Sequence, residues 1–256
     1  MRDWFSQVKY VDQVDSTMHS VKEAAQQGAA EGFTLWAGSQ SQGRGRQGRD
    51  WYSPAEGGLY FTTLLRPPVH EVPLLLEQSP TFSLVSGLAL AQSFEEEGIQ
   101  DIRLKWPNDI LIGGKKCAGI LLECLDLSPE QCTILLGIGI NLEPESETHR
   151  QMDLSYGYVG LSEALPADKG PISAGDWLKT VLGNLQQSYG RWRKEGFAPF
   201  ADLWRAYDYL FAKEITALCQ SEEIRGIARG VSERGHLCVE TQGKIVQIDA
   251  GEVHLV

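Results

Sequence analysis

Hydrophobic and polar positions in the first 211 residues alternate between helical and strand-like periods. The 3.6-residue period predicts helices at 21–27, 81–97, 174–194 and 199–210, the second of them amphipathic. Alternating or continuous apolar runs predict strands at 33–39, 59–65, 102–106, 110–112, 118–125 and 133–140. Since helices and strands do not alternate regularly, the pattern predicts an α+β fold with a mixed sheet.

The pattern changes after Phe211. Short strand-like segments, EITAL, EIRGIARGV, GHLCVET, KIVQIDA and VHLV, are separated there by glycine and polar turns. They predict a small β-barrel. We therefore expect two domains, with bounds 1–211 and 212–256.

Charge and cysteine content narrow the functional class. Lys and Arg number 23 against 34 Asp and Glu, so the net charge is −11, which disfavours binding to nucleic acid or an anionic membrane surface. The five cysteines include no C-x-x-C pair, and the N-terminus has no apolar signal segment. A cytoplasmic protein without a disulfide framework or zinc site is expected.

The segment 40–51, QSQGRGRQGRDW, carries the strongest chemical signal. Three arginines among three glycines offer planar donors on a backbone that can approach a ligand closely, which favours an anion-binding loop over a merely solvated one. The glycines also match G-x-G-x-x-G, but nothing after them predicts a helix, so a dinucleotide fold is rejected.

Three further segments are ambiguous when taken singly. The first, 105–109, reads KWPND and places a cation and two oxygen ligands at a turn. It is either a magnesium site or an ordinary Asx turn. The second, 115–123, leads lysines into an apolar strand, which by itself favours a solvated hairpin tip. In the third, 137–141, alternate glycines leave one strand face open for packing or for a flat ligand.

In this order and spacing, GRGRxGRxW, KWPND, K-x-AGIL-x-E and GIGIN closely resemble the biotin protein ligases, from about Tyr10 to the C-terminus. The resemblance implies a catalytic domain like that of class II synthetases and a C-terminal SH3-like barrel. It also implies a biotin–[biotin carboxyl carrier protein] ligase. Biotin and MgATP would form biotinyl-5′-AMP, which then acylates a lysine of a carrier domain.

The resemblance also implies roles for individual residues. Contacts to biotin or ATP would come from Ser16, Thr17, Met18, Gln40, Gly43, Arg44, Gly45, Arg46, Arg49, Trp51, Lys116, Gly119, Gly137 and Asn141. Met18 stands where the family usually has asparagine. Lys116, Arg46 and Lys105 would be catalytic, and Asp109 with Asn141 would hold Mg²⁺. Gly119 and Gly137 would leave room for flat rings, and Cys117, in place of an aliphatic residue, is expected to be a small hydrophobe more than a nucleophile.

Further expectations concern partners. By the same resemblance, residues 143–170, which are polar in composition, correspond to a family segment that orders over adenosine. Because Ser16 comes so early, we expect no DNA-binding domain and no repressor role; the partner would be a biotin carboxyl carrier protein, and a homodimer through a sheet edge stays open. Two alternatives remain: a lipoate–protein ligase-like adenylating enzyme, and a non-catalytic interaction protein with a degenerate site.

Overall fold

The computed structural model describes residues 3–68, 81–128, 131–144, 156–219 and 222–256. A seven-stranded sheet packs against helices and is followed by a five-stranded sheet. The strands are β1 (Val8–Val14), β2 (Thr34–Gln40), β3 (Gly58–Leu65), β4 (Ile102–Lys105), β5 (Asp109–Ile112), β6 (Lys115–Ser128), β7 (Gln131–Asn141), β8 (Glu214–Cys219), β9 (Glu222–Val231), β10 (Leu237–Thr241), β11 (Lys244–Ile248) and β12 (Glu252–Leu255). The α-helices are α1 (Thr17–Gln26), α2 (Thr81–Glu96), α3 (Leu161–Ala164), α4 (Ala174–Glu195) and α5 (Ala201–Tyr207).

The large sheet has the order β1-β2-β3-β7-β6-β5-β4. Strands β1 and β2 run parallel around the crossover helix α1, and the other neighbours are antiparallel. The predicted α+β class is confirmed. The pattern missed β1 because this edge strand, with a single neighbour, has no fully buried residue and therefore no clear apolar period.

Helix α2 is buried on nearly all sides, so the prediction of an amphipathic helix is wrong. It packs against the large sheet on one side and α4 on another, and Trp192 Nε1 of α4 donates to Thr81 Oγ1 over 2.9 Å. A helix that is apolar all round belongs in a core between layers. The helix predicted over 199–210 is shorter: a 3₁₀ turn, Ala198–Phe200, leads into α5, which ends at Tyr207 because Asp208 is extended.

The C-terminal strands form an antiparallel sheet of order β11-β10-β9-β8-β12. Within the described residues no ladder joins β11 to β12, so the expected barrel is an open sheet, and its strands remain compatible with an SH3-like domain. Ile215, Leu237 and Val253 belong to the same continuous core as the large sheet. Trp106 Nε1 also donates to the Gly235 carbonyl over 3.0 Å, which ties the two sheets together. None of the helices among these residues has both the length and the hydropathy needed to cross a bilayer.

The Trp106–Gly235 hydrogen bond gives a test of this coupling. We expect Trp106→Phe to lower the free energy of unfolding by about 1–3 kcal/mol more than Trp4→Phe does, because it leaves the Gly235 carbonyl without its partner. Trp4 is equally buried, and its Nε1 has no partner among the described residues, so the same atoms are lost without a hydrogen bond. Urea unfolding measures both; equal losses would show that the bond does not stabilise the contact.

Candidate active site

A cavity of about 540 Å³ lies where the large sheet meets β12. It unites all four segments chosen from the sequence. The lining includes Ser16, Thr17, Met18, Gln40, Arg44, Gly45, Arg46, Arg49, Trp51, Lys105, Asp109, Lys116, Gly119, Gly137 and Asn141. Strand register explains part of this, because Lys105 pairs with Asp109, Asp109 with Gly119, and Gly119 with Gly139, in one row across the sheet.

Gly43 is the one predicted contact that does not line the cavity. Its carbonyl accepts a hydrogen bond from Trp51 N over 2.9 Å, and a Cβ built on it would meet Ser53 Oγ at 2.7 Å. Gly43 therefore lets two stretches of loop backbone approach closely, and the structure gives it no direct contact with the cavity.

One end of the cavity is a network of neutral polar groups. Gln40 Oε1 accepts from Thr17 N at 2.8 Å and from Thr17 Oγ1 at 3.0 Å, and Gln40 Nε2 donates to Ser53 Oγ. Ser16, at the N-cap position of α1, makes no capping bond, and its buried Oγ has no partner among the described residues. A buried hydroxyl without a partner is costly, so this end is suited to a ligand group that forms a hydrogen bond with it.

The glycine- and arginine-rich loop is a compact turn. Gly45 N donates to Arg49 O over 2.7 Å, and only a 3₁₀ turn, Arg46–Gly48, lies within it, which agrees with the rejection of a dinucleotide motif. Arg46 Nη1 donates to Asn108 Oδ1 over 3.3 Å. Burial is the main cause that lowers the pKa of Arg46; Arg49 also lowers it and Asp109 opposes them.

The predicted flat-ligand floor is covered by protein side chains. A Cβ built on Gly119 would meet Trp51 Cζ3 at 2.7 Å, and Gly139 lies under the same indole. A Cβ on Gly137 would meet Met18 Sδ at 2.6 Å. These glycines make room for Trp51 and Met18, whose side chains form part of the cavity wall. The expectation that Gly119 and Gly137 also leave room for flat ligand rings stays a prediction.

Two lysines lie at the opposite, cationic end. Burial lowers the pKa of Lys105 to about 8, with Asp109 opposing and Lys116, Arg49 and Arg46 adding to the fall. Its Nζ lies 4.1 Å from the centroid of the Tyr156 ring. Lys116 Nζ lies 2.7 Å from Asp109 Oδ1 and 5.3 Å from the Trp51 ring centroid. Positive charge is thus concentrated within a protein that is acidic overall.

The metal and cysteine predictions can be compared with this geometry. Among the described residues no three His, Cys, Asp or Glu side chains converge as a metal cluster. A single carboxylate, Asp109, fits a magnesium ion whose remaining ligands are phosphate oxygens and water. Asn141 Nδ2 donates to Lys116 O over 3.1 Å, so Oδ1 is its remaining ligand atom. Cys117 is fully buried, and burial raises its thiol pKa, which excludes the nucleophile interpretation.

Sequence reasoning missed the contribution of β12, and within the predicted adenosine-covering segment it singled out no individual residue. Glu252 and His254 line the cavity from the C-terminal sheet, and Glu252 forms an ion pair with Arg49. Backbone bonds join Lys116 to Gly157 and Val159, and they bring Tyr156 and Tyr158 to the cavity. The sequence of β12, EVHL, contains no local pattern that marks this strand as part of a site. Within the predicted adenosine-covering segment, residues 145–155 lie outside the described residues.

Comparison with known proteins decides the family. Residues 10–141 match the model of the Biotin/lipoate A/B protein ligase family, and residues 213–256 match that of the Biotin protein ligase C terminal domain. The chain belongs to the biotin/lipoate A/B protein ligase family. It is 31% identical to the bifunctional ligase/repressor BirA of Bacillus spizizenii over 96% of this chain and 73% of the relative.

Other members of the ligase family are equally informative. The biotin–[acetyl-CoA-carboxylase] ligase of Mycobacterium tuberculosis is 31% identical over 96% of this chain and 88% of its own. The structure of the Aquifex aeolicus biotin protein ligase in complex with biotin and ATP superposes with a TM-score of 0.81 at 27% identity. That match covers 98% of this chain and 99% of the other.

The environment of Lys105 in this ligase-family cavity predicts its titration. With the lysines labelled as ¹³C-dimethyl derivatives, we expect one resonance to titrate near pH 8, well below those of exposed lysines. Asp109→Asn should lower that midpoint further, because it removes the charge that favours protonated Lys105. Asp101→Asn, which alters an exposed carboxylate paired with Arg103, should leave it unchanged. A midpoint near 10.5 would contradict the assigned burial.

Proposed function

We propose that this protein is an ATP-dependent ligase that activates biotin as biotinyl-5′-AMP and transfers it to a lysine of a biotin carboxyl carrier domain. The observation that carries the proposal is a single cavity with a neutral hydrogen-bonding end at Ser16 and a cationic end at Lys116. Biotin, which has an uncharged ureido ring at one end and a carboxylate at the other, matches that polarity. The phosphates of a nucleoside triphosphate match the cations. Relatives named as biotin ligases support the same activity.

At the neutral end, Ser16 Oγ is the group available for the ureido ring. Thr17 and Gln40 hold the start of α1 in place through their mutual hydrogen bonds, so the hydroxyl is oriented before the ligand arrives. Met18, whose side chain lies over Gly137, supplies an apolar wall for the bicyclic ring. Because Met18 has no side-chain amide, unlike the asparagine usual in the family, recognition of the ureido ring depends on Ser16 and on backbone groups.

At the cationic end, two anions must meet. In the first step a biotin carboxylate oxygen bonds to the α-phosphorus, and the bond to the bridging oxygen breaks as pyrophosphate leaves. Lys116 and Arg46 donate hydrogen bonds to the oxygens on which negative charge accumulates, and Lys105 and Arg49 hold the departing phosphates. Fixed donors in a partly buried site lower the barrier because they need no reorganisation. Mg²⁺, held by Asp109 and Asn141, would neutralise phosphate charge.

In the second step the uncharged amine of an acceptor lysine attacks the acyl carbon, and AMP leaves with the bonding electrons. The mixed anhydride must be protected from water until then. Trp51 and the loop containing Gly45 cover one side of the cavity and supply that protection.

We propose residues 1–211 as the catalytic domain and 212–256 as the second domain, although β12 contributes to the same cavity.

The acceptor is proposed to be a biotin carboxyl carrier protein or domain, the partner class on which this family acts. The absence of a repressor role stays a prediction, since the two matched Bacillus BirA proteins are named as ligase and repressor and the match covers 73% of their length. A homodimer through a sheet edge also stays a prediction; β1 and β4 are the two edge strands of the large sheet.

Pyrophosphate release tests the proposed substrate directly. The purified protein is incubated with MgATP and either biotin or lipoate, and then with a carrier domain. We expect release with biotin and labelling of the carrier lysine. Release with lipoate alone would support the lipoate–protein ligase alternative, and no labelling where a known ligase succeeds would support the non-catalytic alternative.

Lys116 provides the sharpest test of mechanism. We expect Lys116→Ala to slow single-turnover adenylation by about 10²–10³-fold, the usual effect of losing one preorganised donor. Lys115→Ala is the matched control, because Lys115 is the adjacent lysine and is exposed. Quench-flow measurement of biotinyl-5′-AMP formation compares them. Full single-turnover activity in Lys116→Ala would refute the role assigned to this lysine.

A further inference from the structure

Strand β12 carries a histidine into the cationic end of the cavity. His254 lines the cavity, with its side chain 44% exposed, and its Nε2 lies 3.7 Å from Glu252 Oε2. Glu252 in turn is paired with Arg49 of the loop. A histidine, a carboxylate and an arginine from two distant parts of the chain thus form one charged cluster beside the lysines.

The charges that face His254 come from three elements. Lys105 on β4 and Arg49 on the loop are positive, and Glu252 on its own strand is negative. The adjoining groove, lined also by Gly114, contributes the rings of Tyr156 and Tyr209, with Lys213 Nζ over the latter ring at 3.4 Å. The paired strand β8 places uncharged Thr216 opposite. Desolvation first, then Lys105 and Arg49, lowers the pKa of His254, so its imidazole is neutral at pH 7 when the cavity holds no anion.

We propose that His254 takes up a proton when the polyphosphate of the nucleotide enters the cavity, and that it then serves as a further cation toward those phosphates. The inference rests on the proposed function, since it needs a polyphosphate to bind among Arg49 and Lys105.

The physical reason is a reversal of the local field. Phosphate oxygens neutralise Lys105 and Arg49, the two charges that disfavour the imidazolium. When Arg49 turns from Glu252 to phosphate, the Glu252 carboxylate is left beside His254, where an opposite charge favours protonation. One proton moves from solvent to the imidazole as the anion binds, and it returns to solvent when pyrophosphate departs.

Because proton uptake by His254 would be thermodynamically linked to anion binding, it can be measured with pyrophosphate in magnesium-containing buffer. Calorimetric titrations at pH 7, in two buffers of different ionisation enthalpy, give the number of protons taken up. We expect the wild type to take up more protons than His254→Gln, by up to one per site; protons exchanged by pyrophosphate itself cancel in the difference. His236→Gln, the same substitution at a turn of the same sheet, should match the wild type.

A second measurement covers a variant that binds too weakly. The imidazole Cε1–H resonance of His254, assigned with His254→Gln, is titrated in the wild type with and without pyrophosphate. We expect its pKa to lie below 6.5 in the free protein and to rise on binding. Between the pKa of His254 in the free protein and its pKa in the complex, the affinity of the wild type for pyrophosphate should increase as pH falls. This increase should exceed that of His254→Gln by up to about tenfold per pH unit.

The outcomes separate the two ideas. Binding of pyrophosphate with equal proton uptake in both proteins and an unmoved His254 resonance would overturn this inference and leave the proposed function intact. Failure of the wild type to bind pyrophosphate at all would overturn both.

Discussion

The organisation of the cavity depends on holding several cations close together in a partly buried place. Burial, reinforced by the neighbouring Lys116, Arg49 and Arg46, lowers the pKa of Lys105 to about 8. Carboxylates that share the space offset part of this positive charge. Asp109 lies against Lys116, and Glu252 pairs with Arg49. Each carboxylate is paired with a cation to which a phosphate could otherwise bind.

This balance explains why the site is built from such separated parts of the chain. The turn after β4 and the start of β5 bring Lys105 and Asp109 together, and β6 places Lys116 beside them. The loop after β2 supplies the arginines, and β12 supplies Glu252 from the small sheet. Both sheets share one core and are joined by the Trp106–Gly235 hydrogen bond, so the C-terminal sheet is held against the large sheet.

In the proposed function, the same geometry separates recognition of biotin from the chemistry of adenylation. The Thr17–Gln40–Ser53 network holds neutral groups at one end, where desolvation costs little once hydrogen bonds form. The cations lie at the other end, where burial strengthens their effect on developing negative charge. Trp51 packs on Gly119 and Gly139 and contacts both ends, because its carbonyl accepts a hydrogen bond from Ser53 Oγ and its ring centroid lies 5.3 Å from Lys116 Nζ. A movement of the loop that carries Trp51 would therefore affect both ends.

The individual cavity residues were assigned through the resemblance of four motifs to the biotin protein ligases. The sequence by itself predicted most strands of the large sheet, though not β1, the main helices, and the anion-binding chemistry of 40–51, because those signals are local: period, turn residues and charge within a few positions. It could not reveal that β12 completes the cavity, since EVHL contains no motif and its role arises from sheet packing. It also could not show that Gly119 and Gly137 accommodate Trp51 and Met18, or that α2 is buried on nearly all sides. These features depend on which surfaces meet, and long-range contacts that only the folded chain creates decide that.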